Sequence, residues 1–220
     1  MKKEVFDFLT QLAKNNNREW FADNKVTYEN CKTIANENFN KIYKELQTTD
    51  ALEPLKAFRI YRDIRFSKDK TPFKTHFSMY VGRLQPFNRG GYYLHIEPGH
   101  SFIGGGFWGP NAEDLFRIRT EIALDDELLQ IVSDKKFKQY FKELKGESLK
   151  TAPKGFDKNH ERIELLRKKQ FLLTRSLTDE EVLSADFNKK VIETFLVARP
   201  FFEYMTDVLT TNINGEKVHE

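Results

Sequence analysis

The stretch FRIYRDIRFSKDKTPFKTHF, residues 58–77, is where the hydrophobic period of the chain changes. Before Pro54 the residues Trp20, Tyr28, Cys31, Ala35, Phe39, Ile42 and Leu46 recur at three- and four-residue steps, which predicts one long helical segment over 18–47. From Phe58 the period is two. Phe58, Ile60, Ile64 and Phe66 alternate with Arg59, Tyr61, Asp63 and Arg65, as in a half-buried strand over 58–66. Further strands are predicted at 76–83, 91–97 and 101–107. They are separated by the turn QPFNRGG and by Pro98-Gly99, where proline fixes one dihedral and glycine supplies a positive φ. Strands joined by such short connections pair antiparallel, as a meander.

On either side of these strands the helical period returns. Val5, Phe6, Phe8, Leu9 and Leu12 share a face, Asn15 to Asn17 end that helix, and Asn17 suits the N-cap of the next. Helical spacing runs again from Ala112 to about Leu144, in three pieces starting at Asn111, Asp125 and Ser133 or Asp134. A loop at 150–161 leads to a helix ending near Lys169, then a short strand, Phe171 to Thr174. Thr178 and Glu181 have the spacing of a capping box. A long helix starts near Asp186, and Pro200 is expected to break or kink it. The tail after 212 is expected to fray. Repeats and linkers are absent, so residues 1–220 are expected to form a single α+β domain. That domain is an antiparallel β-meander of four or five strands flanked by N-terminal, central and C-terminal helices.

Composition narrows the function classes. The net charge of +3 is too small for a polycation, so any attraction for an anion must come from local clustering. The pI near 8.7 does not by itself favour nucleic acid. A single cysteine, Cys31, excludes an internal disulfide, and its helical neighbours mark it as a small buried residue. Glu4 and Asp7 interrupt any signal-peptide core, and no apolar run approaches the roughly 20 residues of a membrane span. No membrane partner and a cytoplasmic location are the expectations.

Three constellations could carry chemistry. Arg59, Arg65, Lys68, Lys70 and Lys74 crowd one strand and turn, and arginine forks suit phosphate or carboxylate. Against them stands the bland alternative of a solvated charged face. Arg62, between Ile60 and Ile64, is expected instead to be at least half buried and paired. His95 and Glu97 share a strand face with Tyr93, with His76 and His100 near in sequence; a histidine beside a carboxylate suits proton transfer. Two histidines and a carboxylate would also suit a metal, but the surrounding cations argue against one, and no metal is expected. Gly104, Gly106 and Gly109 fit the spacing of a dinucleotide loop without its parallel-strand context. Gly104, Gly105 and Gly106 serve either close backbone packing or a backbone-lined ligand site.

Longer motifs carry a resemblance. NNNREWF (15–21), FRIYRDIRFSKDKTPFKTHF (58–77), GGYYLHIEPGHSFIGGG (90–106), APKGFDKNH (152–160) and SLTDEEVLSADF (176–187) resemble the bacterial domain-of-unknown-function 2461 family. The resemblance covers nearly the whole chain. It implies a soluble single-domain protein and carries over no catalytic residue and no cofactor. Glu161 stands where the family pattern has proline, which leaves that loop less constrained.

The expectation is therefore a site for an anionic small molecule, formed by Arg59, Arg65, Lys68, Lys70, Lys74, His76, Tyr93 and Gly104 to Gly106, with His95 and Glu97 as catalytic groups if the protein is an enzyme. The alternatives are a nucleic-acid-binding module using the same turn and its aromatics, or a structural or interaction protein. Oligomeric state and cofactor are not legible in the sequence.

Overall fold

The computed structural model describes residues 1–211, 216 and 217, so the expectation for the tail falls largely outside the described residues. Three helices open the chain: α1 (Lys3–Lys14), α2 (Arg18–Asp23) and α3 (Lys25–Leu46). The strands β1 (Lys56–Ala57), β2 (Phe77–Gly82), β3 (Gly91–Ile96) and β4 (Phe102–Phe107) follow. Next come α4 (Ala112–Leu124), α5 (Glu127–Ser133), α6 (Lys135–Phe141), α7 (Ile163–Leu166), β5 (Phe171–Ser176), α8 (Asp179–Leu183) and α9 (Phe187–Thr210). The five strands form one antiparallel sheet in the order β1-β2-β3-β4-β5. The protein is thus an α+β domain built on a β-meander.

Local chemistry explains most boundaries. Asn17 caps α2 by accepting from the Trp20 amide, Asn111 caps α4, and Asp134 caps α6. Thr178 and Glu181 form the capping box of α8. The segment over 18–47 is two helices rather than one. Asn24, at φ −104° and ψ 15°, ends α2 and starts α3, with its amide donating to the Trp20 carbonyl. Between the loop at 150–161 and β5 only Ile163–Leu166 is helical. Pro200 lies inside an uninterrupted α9. The carbonyl it would otherwise bond belongs to Leu196, which is 42% exposed, so water can take its place.

The strand predicted over 58–66 is the main correction. Only Lys56–Ala57 pairs regularly with β2, and Phe66 is 95% exposed. The chain instead folds back on itself. The Arg62 amide donates to the Pro72 carbonyl at 2.9 Å and the Lys74 amide to the Ile60 carbonyl at 2.8 Å, with Tyr61 bridged to Phe73. Pairing between 60–62 and 72–74 replaces extension of the sheet. The Arg62 side chain, 26% exposed, closes the loop through Asp69 and Thr71.

One face of the sheet, with Met79, Tyr92, Leu94, Ile96, Ile103 and Leu173, joins the apolar core against α3 and α9. That core is anchored by a buried ion pair. Asp50 and Arg83 have side chains only 3% and 4% exposed, and Arg83 Nε donates to Asp50 Oδ2 at 2.8 Å. The Tyr92 hydroxyl donates to the same oxygen at 2.7 Å, and Arg83 also reaches the Phe202 carbonyl and the Thr206 hydroxyl. Along β5, Lys145 exchanges both backbone hydrogen bonds with Leu172, at 2.8 and 2.9 Å. Among the described residues no helix is long and apolar enough to cross a membrane.

Asp50→Ala leaves a guanidinium buried without its carboxylate, which typically costs about 3–5 kcal/mol. Urea denaturation should show a loss of that size; a loss below about 1 kcal/mol would mean that Arg83 is satisfied without Asp50.

Candidate functional site on the open face of the sheet

Strand alternation sends Tyr80, Tyr93, His95, Phe102, Gly104 and Thr174 to the face opposite the core. The register makes this face continuous: Tyr80 pairs with Tyr93, Tyr93 with Gly104, Gly104 with Thr174, and His95 with Ser78 and Phe102. A cleft of about 390 Å³ lies here, floored by Gly104 to Gly106 and walled by Tyr80, Tyr93, Phe102 and Trp108. Gly104 serves the floor, since a Cβ there would meet nothing nearer than 3.5 Å. Gly105 serves the core: a Cβ there would lie 2.9 Å from both the Gly91 carbonyl and the Phe202 ring.

At the rim the polar groups converge. Phe77 pairs with Ile96, so His76 and Glu97, one residue outside that pair, end up side by side. The His76 and His95 rings lie 4.0 Å apart, and His95 stacks on Phe102 at 4.8 Å. His95 Nε2 meets Glu97 Oε2 at 2.9 Å, and His95 Nδ1 meets the Tyr93 hydroxyl at 3.1 Å. Thr75 donates to the other Glu97 oxygen, and Ser101 holds the Glu97 backbone.

Burial sets the charge states. Desolvation, helped by His95, pushes the His76 pKa down to about 4. Desolvation also lowers His95, although its hydrogen bond to Glu97 works the other way. Burial alone would raise Glu97, but the hydrogen bonds from Thr75 and His95 outweigh it and hold its pKa below the usual value. At neutral pH the cluster is two neutral imidazoles and one carboxylate. The ionised Glu97 can only accept, so the proton of neutral His95 sits on Nε2, and Nδ1 accepts from Tyr93.

Among the candidate site residues, the structure brings His76, Tyr93, His95 and Glu97 together and sets Gly104 to Gly106 beside them. Lys74 acts electrostatically on both histidines, and its ammonium lies 5.3 Å from the Phe58 ring centre. Arg59 lines a separate groove against α3, while its charge lowers the Lys74 pKa after desolvation. Arg65 is engaged by Asp63 at 2.7 Å, and Lys70 donates to the Ile64 carbonyl. Lys68 is exposed in the same turn. The loop at 150–161 packs on α4, where His160 and Arg162 bond the Ala123 carbonyl. Sequence reasoning passed over Thr75, Tyr80, Phe102 and Trp108. Period-2 alternation marks Tyr80 and Phe102 once the register is known; Thr75 carried no signal beyond its place next to His76.

The profile of a family described as "Conserved hypothetical protein (DUF2461)" matches residues 4–204. The chain belongs to the DUF2461 family. No curated protein and no solved structure matches it. The DUF2461 match spans most of the helices that build the core, ending within α9, and every residue of the cleft rim, from Thr75 to Phe102.

The low His76 pKa makes a testable link to stability. Unfolded, this imidazole takes a proton near 6.5; folded, only near 4. Its contribution is therefore undiminished above about 6.5 and is lost as pH falls from there toward 4. In chelator-treated protein, NMR should place the His76 titration near 4, and wild type should lose more stability than His76→Gln between pH 7 and 5. A midpoint near 6.5 would mean that the ring is solvated.

Proposed function

We propose that this chain binds a small molecule bearing a phosphate or carboxylate in the cleft, with Tyr93, His95 and Glu97 as a proton relay to it. The observation that carries this reading is the unbroken hydrogen-bonded chain from the cleft wall to a half-buried carboxylate. Tyr93 lines the cleft, its hydroxyl meets His95 at 3.1 Å, and His95 meets Glu97 at 2.9 Å. In the relay a ligand proton passes to the Tyr93 oxygen as the Tyr93 proton passes to His95 Nδ1. The imidazolium so formed faces Glu97, which stabilises it. A relay held this way acts as a general base through a neutral His95 backed by the ionised Glu97.

The cleft has the size and lining of a small-molecule site, mostly apolar with a few convergent polar groups. Its glycine floor and aromatic walls fit a flat apolar body. Lys74, partly desolvated, supplies the positive charge for an anionic head.

Phenyl phosphate combines both features and serves as the probe. Calorimetry should detect its binding, and Gly104→Val and Lys74→Ala should each weaken it at least ten-fold. Both variants should stay within about 1 kcal/mol of wild-type stability, as substitutions away from the core usually do. Arg65→Ala should leave binding unchanged, because Asp63 already engages that guanidinium. No binding, or equal binding by wild type and Gly104→Val, would overturn the reading.

A further inference from the structure

We infer that His76, His95 and Glu97 form a binding site for one divalent transition-metal ion, of the zinc or iron(II) class. Two imidazole nitrogens and a carboxylate oxygen are on offer, all within 4.8 Å of one another. An ion with bonds of about 2.1 Å holds tetrahedral neighbours roughly 3.4 Å apart, so the widest spacing need close by no more than roughly 1.4 Å. A swing of the His76 ring or the Glu97 carboxylate covers that distance. The backbone is already in place, because the β2–β3 register sets the three residues side by side.

The surroundings of these ligand atoms are a second, independent observation. Metal-bound histidines and carboxylates are commonly oriented by further hydrogen bonds from behind. Here the Tyr93 hydroxyl stands behind His95 Nδ1, and Thr75 holds the Glu97 oxygen that faces away from His95. Ser101 pins the Glu97 backbone at 3.0 and 2.8 Å. The His76 ring, packed against His95, takes no hydrogen bond among the described residues, so its nitrogens remain free to ligate. Two nitrogens and one oxygen suit zinc, iron(II), cobalt or nickel, whereas magnesium and calcium prefer oxygen throughout.

The basic turn is a weak objection. Arg65 and Lys70 have partners within the turn, and Lys74 and His100 oppose positive charge at His95 while Glu97 favours it. Glu97 supplies the only negative charge among the three ligands, so the loaded centre stays positive. Three protein ligands leave a position open, and an anion is its natural occupant. With metal on His95 Nε2, the imidazole proton sits on Nδ1 and points at the Tyr93 oxygen; the base relay then belongs to the metal-free form. The inference shares its residues with the proposed cleft function but does not depend on it, since metal binding is measured without any organic ligand.

The test is a Zn²⁺ and Co²⁺ titration of chelator-treated, dialysed protein by calorimetry and visible absorption, with Mg²⁺ as control. One Zn²⁺ per chain should bind, Co²⁺ should give a ligand-field spectrum, and Mg²⁺ should not compete. His76→Ala and Glu97→Gln should each weaken Zn²⁺ at least ten-fold, while His100→Ala and Gly104→Val should not. Glu97→Gln preserves side-chain shape, so it keeps the test valid if His76→Ala fails to fold. Zn²⁺ affinity unchanged in Glu97→Gln, or no stoichiometric Zn²⁺ binding by wild type, overturns the inference. Gly104→Val separates the two readings, because it should weaken phenyl phosphate binding at least ten-fold and spare Zn²⁺.

Discussion

The buried pair of Asp50 and Arg83 is the constraint on which the rest of the architecture depends. Neither group tolerates burial alone, so the end of α3 and the end of β2 must meet wherever the chain folds. The same carboxylate oxygen takes the Tyr92 hydroxyl, which brings in β3, and Arg83 reaches two successive turns of α9 through the Phe202 carbonyl and the Thr206 hydroxyl. Four elements, α3, β2, β3 and α9, are thereby fixed around one ion pair. α9 can lie this close to the sheet because Gly105 presents no side chain to the Phe202 ring. Once the core face is closed in this way, the alternation of the strands leaves Tyr93, His95 and Gly104 together on the other side.

That second face has its own electrostatic logic. Charge density along the sequence is not charge density in space. The basic turn is largely occupied with holding itself: Arg62 by Asp69 and Thr71, Arg65 by Asp63. The cluster at the cleft rim works by desolvation instead, keeping two histidines neutral beside an ionised Glu97. Because these groups stand on or next to paired strands, their relative positions are set by the sheet and not by loop conformation.

Much of this was legible in the sequence because it depends on short-range periodicity. The meander follows from alternation in 77–81 and 92–96 with short connections, and the helix starts from Asn17, Asn111, Asp134 and Thr178. The pairing of His95 with Glu97 and Tyr93 follows from the same alternation. What failed was non-local. Residues 58–66 alternate like a strand, but the preference of Arg62 for Asp69 and of the backbone at 60–62 for 72–74 decided their fate. The approach of His76 to Glu97 depends on register, which alternation and the connection 83–90 do not fix by themselves. Nothing local marks Asp50 and Arg83 as a buried pair, since they lie 33 residues apart in the sequence.

The strip 145–149, which runs antiparallel along 167–172, has a bearing on how the molecule behaves in company. Its exchange of hydrogen bonds with Leu172 occupies amides and carbonyls that β5 would otherwise offer at the rim of the sheet. At the opposite rim, β1 is only two residues long, and Pro54 shortly before it has no amide hydrogen to give. A sheet with one border engaged at its start and the other cut short presents a reduced template for strand addition from a second chain. Both devices reduce the edge that a second chain could extend, and both come from short, irregular stretches beside the strands.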